Sequence, residues 1–230
     1  MKKAAPAKSV TILMSIVLAL VLLTGAVAAP ILCRPFYYAH IGPLELVERT
    51  GLTQEEIKTA YNEMLDYCLG GEEFSTGVLK WTESGKSHFT DVRVLFLLDL
   101  QVLCAALGLL AALALLFRRG RIRPAPLLGR GPAFWAGAGL GTVFLIVAAL
   151  AALDFDRAFV VFHALFFPGK TNWLFNPNQD QIINILPQVF FRNCAILILA
   201  ILVVGCAIFI LFDLTQGKNG KNSPPKPQKS

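Results

Sequence analysis

The chain contains four long apolar runs, which are separated by segments of mixed or polar character. They extend over residues 10–29, 94–117, 133–153 and 194–214. Each run is long enough to cross the hydrocarbon core of a bilayer, which takes about 20 helical residues. The pattern predicts an all-α integral membrane protein with four transmembrane helices in a single membrane domain over residues 1–230.

The first long polar segment, residues 30–91, contains the pattern of an amphipathic helix. Thr53 and Glu56 have the spacing of a capping box, and apolar residues follow at helical spacing. Gly70 and Gly71 come directly after this pattern and end it. The apolar face of such a helix is expected to rest on lipid or on the second long polar segment.

The second long segment, residues 154–192, begins with aromatic residues at helical spacing, among them Phe162 and Phe166. This spacing predicts a helix lying in the membrane interface and ending at Pro168-Gly169. An Asn-Pro turn follows, and Asp180 is placed to cap a short helix before Pro187. Both long segments are therefore predicted to be structured loops with helices of their own.

Basic residues predict the orientation, because short loops rich in Lys and Arg remain in the cytoplasm. They cluster before the first run, between the second and third runs, and after the fourth: Lys2, Lys3, Lys8, Arg118, Arg119, Arg121, Arg123, Arg130, Lys218, Lys221, Lys226 and Lys229. Both termini, including the tail 215–230, are then cytoplasmic, and residues 30–91 and 154–192 face outward. The net charge of +6 is interpreted as attraction to anionic lipid, with no nucleic acid as partner.

The amino terminus and the cysteines leave two alternatives open. Ala26-x-Ala28 after an apolar stretch resembles a signal-peptide cleavage site, but the length of the run favours a retained first helix. Cleavage would leave the orientation of the loops unchanged. Cys33 and Cys68 are both predicted to face outward, and a disulfide between them stays open at this point.

Several short motifs are excluded by their context. Gly137-x-x-x-Gly141 lies inside an apolar helix, where it indicates close helix packing rather than nucleotide binding. Asn176-x-Asn178-x-Asp180 lacks the glycine and the final glutamate of a calcium loop. No P-loop or zinc-protease motif is present, so the sequence predicts no cofactor, no metal and no nucleotide. Asp99, inside the second run, is expected to face the helix bundle and to have a partner there.

The three histidines, His40, His88 and His163, all fall in the segments predicted to face outward. Imidazole titrates close to neutral pH and can both accept and donate a proton. His40 is interpreted as a half-exposed interfacial residue. His88 has Asp91 beside it, whereas a different group of polar residues follows His163, namely Lys170, Asn172 and Asp180.

Two stretches around these histidines carry a resemblance. "SHFTDVR" and, after two further spans, "FHALFFPGKTNWLFNPNQDQIINILPQVFF" are similar to the bacterial four-span lipoprotein intramolecular transacylase (Lit) family. The resemblance implies a cell-membrane enzyme whose partners are diacylglyceryl-modified lipoproteins and membrane lipid. It further implies transfer of the sn-2 acyl chain to the α-amino group of the lipoprotein's first cysteine, giving the lyso form. The family's two catalytic histidines match His88 and His163.

This chemistry agrees with the residue types at the site. An α-amino group has a reference pKa near 7.7–8.0, so an imidazole near 6.5 can deprotonate it at modest cost. One neutral histidine as base and one protonated histidine as acid would serve the two ends of the transfer. Asp91 is expected to orient the His88 ring or keep it charged, and ester aminolysis needs no energy source.

Further residues are assigned supporting or substrate-binding roles. Lys170, Asn172 or a backbone N–H near Gly169 are the candidate donors to the oxyanion. The acyl chains are expected to lie on an aromatic surface to which Trp173 contributes with the phenylalanines of the second loop, Phe162 and Phe166. Asp180 belongs to the polar turn that would meet the head region of the substrate.

Three other functions remain possible on sequence alone. A non-enzymatic four-span accessory protein could bind lipoproteins or membrane partners with the same architecture. A metal-dependent hydrolase using His88, His163 and an aspartate receives no support from ligand spacing. Acylation from a separate phospholipid donor would require a nitrilase-like domain, for which the chain has no room.

Overall fold

The computed structural model describes residues 4–221, with side chains through Gln216, and within this range the chain forms nine α-helices. Their bounds are α1 (Lys8–Leu32), α2 (Arg34–Tyr38), α3 (Leu46–Thr50), α4 (Gln54–Cys68), α5 (Glu83–Arg118), α6 (Pro132–Leu153), α7 (Phe155–Phe166), α8 (Ile182–Ile185) and α9 (Gln188–Lys221). Four of them, α1, α5, α6 and α9, are long and apolar enough to cross a membrane. The predicted class, an all-α membrane protein with four spanning helices, is confirmed.

The exact bounds of the predicted spans, loops and cytoplasmic tail stay predictions. Lys2, Lys3, Lys226 and Lys229 lie outside the described residues, as does most of the predicted tail 215–230. Within the described range each predicted span lies inside a longer helix. The longest extension at a single end is in α5, which begins at Glu83, so the stretch "SHFTDVR" is helical and precedes the apolar residues 94–117.

The chain divides into two compact units, and the predicted single membrane domain stays a prediction. The histidine unit comprises Thr24–Val102 and Val147–Leu199 and contains all three histidines. The arginine unit comprises Met1–Leu23, Leu103–Ile146 and Ala200–Ser230 and contains the arginine-rich connection between α5 and α6.

The core of the histidine unit is formed by α4 packed against α3 and α8. Ile57 of α4 and Ile182 of α8 are fully buried, and burying a side chain of this size contributes about 1.5–3 kcal/mol. Tyr37 stacks on Tyr61 at 3.7 Å between ring centroids and donates its hydroxyl to the Ile185 carbonyl at 2.9 Å. The apolar face of α4 therefore rests on the second loop, one of the two expected surfaces.

The start of α4 confirms the predicted capping box. The Thr53 hydroxyl accepts from the Glu56 backbone N–H at 3.2 Å, and the Glu56 carboxylate accepts from the Thr53 N–H at 2.8 Å. Two backbone donors that the first helical turn leaves unpaired are satisfied in this way. The helix ends at Cys68, before the predicted glycine pair.

In the arginine unit, the small residues of α6 allow close approach to α9. A Cβ atom on Gly137 would lie 2.7 Å from the Cys206 carbonyl oxygen, and one on Gly141 would lie 3.5 Å from the Cys206 Cβ. Any side chain at position 137 would force the two helices apart. The packing interpretation of this glycine spacing fits the structure.

One expectation about a single residue is corrected, and one alternative that the sequence left open is decided. The Asp99 carboxylate was expected to have a partner, but its Oδ2 atom is buried with no hydrogen-bond partner among the described residues. Cys33 and Cys68 do not pair, because Cys33 is exposed while Cys68 is buried within α4 packing, and both are free.

Candidate active site

The fold brings His88 and His163 together, although 75 positions separate them in the chain. Their ring centroids lie 5.8 Å apart with an interplanar angle of 29°, and each residue is only 6% exposed. His88 lies in the second turn of α5, and His163 lies in the last turn of α7. His40 is elsewhere in the unit, packed against Phe36 and Phe190.

The hydrogen bond of His163 defines which nitrogen is basic. Its Nδ1 lies 2.7 Å from the Phe159 carbonyl oxygen. A carbonyl can only accept, so Nδ1 carries the proton and Nε2 holds the free lone pair. Trp173 stacks on the other side of the ring at 4.5 Å and donates its indole N–H to the Lys170 carbonyl at 3.1 Å. The ring is thus fixed in one tautomer and one orientation.

The helix that carries His163 is itself fixed at its start. The Asp154 carboxylate accepts from the Arg157 backbone N–H at 2.9 Å and caps α7. Three turns of helix then place Phe159 and His163 on the same face, since residues four apart are neighbours on a helix. The carbonyl that holds the imidazole is therefore positioned by the helix rather than by a second side chain.

His88 lies in an aromatic environment without a polar partner. Phe167 and Phe175 contact it edge-on at centroid distances of 5.0 and 5.4 Å. Its Nδ1 atom is buried and has no hydrogen-bond partner in the described part of the chain. Residues 83–93 precede the apolar stretch of α5, so this imidazole lies before the predicted span of residues 94–117.

Burial lowers the pKa of both histidines. The pKa of His88 falls from 6.5 to about 4, first because burial disfavours the charged ring and second because His163 is close. Asp91 opposes this shift without reversing it. The pKa of His163 is also lowered by burial, partly offset by the hydrogen bond to Phe159. The lowered pKa values favour the neutral form of both rings in the free protein, and the expected combination of one neutral and one protonated ring during catalysis stays a prediction.

Asp91 does not contact His88 in the expected way. Among the described residues its carboxylate pairs with the Lys170 ammonium and accepts from the Asn172 side-chain amide at 3.1 Å. Burial alone would raise the pKa of Asp91, but these two hydrogen bonds lower it by more. The structure corrects the triad-like expectation: Asp91 holds the second loop against α5 instead of holding the imidazole.

These contacts change the roles available to Lys170 and Asn172. The Lys170 ammonium is engaged by Asp91, and the Asn172 amide nitrogen donates to Asp91 and to Ser87 Oγ, the latter at 3.3 Å. The remaining polar atom of Asn172 is Oδ1, an acceptor that is buried without a donor. The Asn172 amide therefore has no N–H left for an oxyanion, whereas the Lys170 ammonium keeps further N–H donors but is held at Asp91.

Asp180 has a different role from the predicted cap of α8. It is buried, and its Oδ1 accepts from the Thr82 backbone N–H at 2.8 Å and from the Thr82 hydroxyl at 2.9 Å. The Thr82 oxygen in turn accepts from the Gly85 N–H at 3.1 Å. In contrast, α8 has no side-chain cap. Asp180 therefore holds the start of α5, and His88 follows in the second turn of that helix.

The aromatic surface is formed as predicted only in part. Phe162 and Phe166 are half-exposed, with ring centroids 4.6 Å apart, and Phe162 also contacts the buried His163 ring edge-on at 5.5 Å. Trp173 instead packs on the His163 ring. The exposed face of α7 is the part that can contact acyl chains.

Sequence reasoning missed the residues that enclose the imidazoles. Phe159 could have been found, because it lies four positions before His163. Phe167 could also have been found, because it lies four positions after His163 and contacts that ring. Phe175 and Thr82 could not, since their contacts with the site join positions that no local pattern relates. Within the described residues, no group of three or more His, Cys, Asp or Glu side chains is arranged to hold a metal ion.

Comparison with known proteins gives a family and a fold. Residues 12–191 match the family model described as "Lipoprotein intramolecular transacylase Lit". The structure of the membrane integral lipoprotein intramolecular transacylase Lit from Bacillus cereus superposes with a TM-score of 0.81 at 23% identity, covering 94% of this chain and 97% of that one. No curated protein matches the sequence.

Two further structures of the Bacillus cereus protein, each with one histidine replaced, have the same fold. The arginine variant superposes with a TM-score of 0.74 at 22% identity, covering 93% of this chain and 92% of that one. The alanine variant superposes with a TM-score of 0.75 at 23% identity, covering 94% and 95% respectively.

Proposed function

Because this chain belongs to the lipoprotein intramolecular transacylase family, we propose that it moves the sn-2 acyl chain of a diacylglyceryl lipoprotein to the α-amino group of that lipoprotein's N-terminal cysteine. The product is a lyso-form lipoprotein with one acyl chain on nitrogen and one on the glyceryl group. The observation that carries the proposal is the buried pair of His88 and His163 at 5.8 Å.

The proposed reaction balances within a single substrate molecule. The amine nitrogen attacks the ester carbon, a C–N bond forms, the C–O bond to the glyceryl sn-2 oxygen breaks, and one proton passes from nitrogen to that oxygen. Nucleophile and ester are tethered, so much of the entropic cost of bringing them together is already met. The protein must supply proton transfer and stabilise the negative charge on the carbonyl oxygen.

His163 is the better base of the pair. Its Nε2 lone pair is free, and its Nδ1–H hydrogen bond to the Phe159 carbonyl stabilises the ring when it becomes charged. We assign to it the removal of the amine proton during attack and the return of that proton to the leaving glyceryl oxygen. One residue can serve both steps because the ring is neutral again after the second.

His88 suits a different role. With a pKa of about 4 it stays neutral and is a weak base, but a neutral imidazole still has one N–H to donate. We assign that N–H to the oxyanion that forms at the ester carbon, since Lys170 and Asn172 are engaged with Asp91. A donor fixed in an aromatic, poorly solvated environment stabilises such a charge more strongly than one in water.

The exposed face of α7 is assigned to the acyl chains. Phe162, Leu165 and Phe166 present apolar surface beside the buried His163. We place this face, and the histidine pair with it, at the outer surface of the bacterial cell membrane, with both termini in the cytoplasm. The support is the distribution of Lys and Arg, which is concentrated in the segments assigned to the inside.

The test must locate the acyl chain, because the reaction is an isomerisation that leaves the intact mass unchanged. The chain would be co-expressed with a model lipoprotein, and the N-terminal lipopeptide would be fragmented by tandem mass spectrometry. We expect N-acyl, monoacylglyceryl peptide with the wild type and loss of at least 100-fold of this product with His163→Ala or His88→Ala, in the range of general-base and oxyanion-donor losses.

His40→Ala is the matched control. His40 has the same Nδ1 contact at 2.7 Å to a carbonyl four residues earlier, that of Phe36, but it lies away from the histidine pair. We expect this variant to retain N-acyl product. Unchanged diacylglyceryl peptide from a well-expressed wild type would contradict the proposal and favour a non-enzymatic accessory protein that binds lipoproteins.

A further inference from the structure

The connection between α5 and α6 forms a cleft that the transacylase proposal does not use. The cleft has a volume of about 640 Å³. It is lined by three arginines with glycine, proline and phenylalanine neighbours: Pro6, Phe117, Arg118, Arg119, Gly120, Arg123 and Pro124. All of these residues belong to the arginine unit.

The positive charge of this cleft is not neutralised by the protein around it. Asp213 is the only Asp or Glu in the sequence of the arginine unit. Its carboxylate accepts from the Gly131 backbone N–H at 2.8 Å instead of pairing with an arginine. Every ion pair that the described residues form lies in the histidine unit. The guanidinium groups of the cleft are therefore free to bind an external anion.

The arginines are mounted on an ordered loop. The Ala4 N–H donates to the Gly120 carbonyl and the Ala7 N–H to the Arg123 carbonyl, both at 2.9 Å. The fully buried Thr11 adds a side-chain bond to the Ala125 carbonyl at 2.5 Å. Positive charge alone suffices to keep a loop in the cytoplasm, and it needs no such pairing of the loop with the amino-terminal segment.

Apolar side chains beside the arginines indicate the source of the anion. Phe117 lines the cleft and is 49% exposed. Leu128 is 85% exposed and has a positive φ of 50°, a backbone conformation that disfavours branched side chains. It projects from a turn that the hydrogen bonds between Leu127 and Arg130 close. An exposed phenylalanine in a cationic cleft, with a further exposed leucine on the same connection between α5 and α6, suits a lipid better than a dissolved ion.

We propose that the cleft formed by Arg118, Arg119 and Arg123 binds the phosphate group of an anionic phospholipid. The planar guanidinium fork matches phosphate oxygens with two parallel hydrogen bonds, which gives a specific site rather than a diffuse field. The acyl chains of the lipid would lie along Phe117 and the apolar residues of α5 that precede it. This site is independent of the histidine pair and of the proposed reaction.

The test uses the full chain purified in a neutral detergent and mixed with equal amounts of phosphatidylglycerol and phosphatidylcholine. Native mass spectrometry would count the lipids that remain bound. We expect the wild type to retain one phosphatidylglycerol in preference to phosphatidylcholine. Arg119→Gln and Arg123→Gln should each lower this retention roughly tenfold, as expected for loss of a charge-assisted hydrogen bond.

Arg121→Gln is the matched control, because it removes the same charge from the same loop at a position that does not line the cleft. It should retain the lipid. Arg123→Lys keeps the positive charge but loses the planar guanidinium group, so its retention of phosphatidylglycerol should lie between those of the wild type and Arg123→Gln. This variant keeps the proposal testable even if the glutamine variant fails to fold. Equal loss in Arg121→Gln, or no preference for phosphatidylglycerol, would overturn the proposal. Displacement by millimolar inorganic phosphate would overturn the lipid assignment in favour of a free anion.

Discussion

At the residue scale, the burial of His88 couples the stability of the chain to pH. The folded state holds this ring neutral down to about pH 4, whereas an unfolded histidine takes up a proton near 6.5. Below pH 6.5 the unfolded state therefore binds more protons, and stability falls as the pH is lowered. The loss is complete near pH 4 and amounts to about 3 kcal/mol.

His88→Gln should make this pH dependence shallower, since glutamine has no charge to bury. The measurement is the unfolding temperature in detergent between pH 7 and pH 4 for both proteins. His163 has a lowered pKa as well and leaves a residual slope in the variant. Identical slopes for the two proteins would show that His88 does not carry the effect.

The sequence predicted the histidines of the site but not the roles of the aspartates around them. His88 and His163 could be paired through resemblance, and Asp91 lies three positions from His88, so a triad-like contact was a reasonable expectation. The structure instead pairs Asp91 with Lys170 and Asp180 with Thr82. Both pairs join residues about 80 to 100 positions apart in the chain, and spacing carries no signal for such contacts.

At the element scale, the four spanning helices and the capping box of α4 followed from periodicity, but the true start of α5 did not. Residues 83–93 are mostly polar and lack an apolar stripe. The first turn is held by a local cap, in which the Thr82 hydroxyl accepts from the Gly85 N–H, and by the buried Asp180, which accepts from the Thr82 N–H. A local cap and a tertiary contact therefore act together at the start of α5.

Gly85→Ala tests this start of α5. A Cβ atom there would overlap the Asp180 carboxylate, so we expect a loss of about 1–3 kcal/mol, typical of overpacking, together with reduced transfer activity as His88 shifts. Gly108→Ala lies on the same helix with nothing within 4 Å of the added atom. It should leave the unfolding temperature and the activity unchanged. If the two variants had the same unfolding temperature and activity, the contact with Asp180 would not be what positions α5.

At the scale of the whole molecule, the proposed orientation can be read from single cysteines. Cys33 is exposed and belongs to the histidine unit. A membrane-impermeant maleimide should label it in intact cells, and Cys33→Ser should reduce the signal to the background of the other cysteines. Leu128→Cys in that background should be labelled only after permeabilisation. The reverse pattern would place the histidine pair on the cytoplasmic side.

The length of α5 makes the thickness of the surrounding bilayer relevant to the proposed reaction. Its 36 residues extend about 54 Å, against about 30 Å for an average hydrocarbon core. Because α5 is one continuous helix, His88 lies at a fixed distance along it, whereas the depth of the ester it would act on follows the lipid surface. Bilayer thickness should then tune the reaction: nanodiscs of graded acyl-chain length should show a maximum in transfer rate, with slower turnover in membranes that are too thin or too thick.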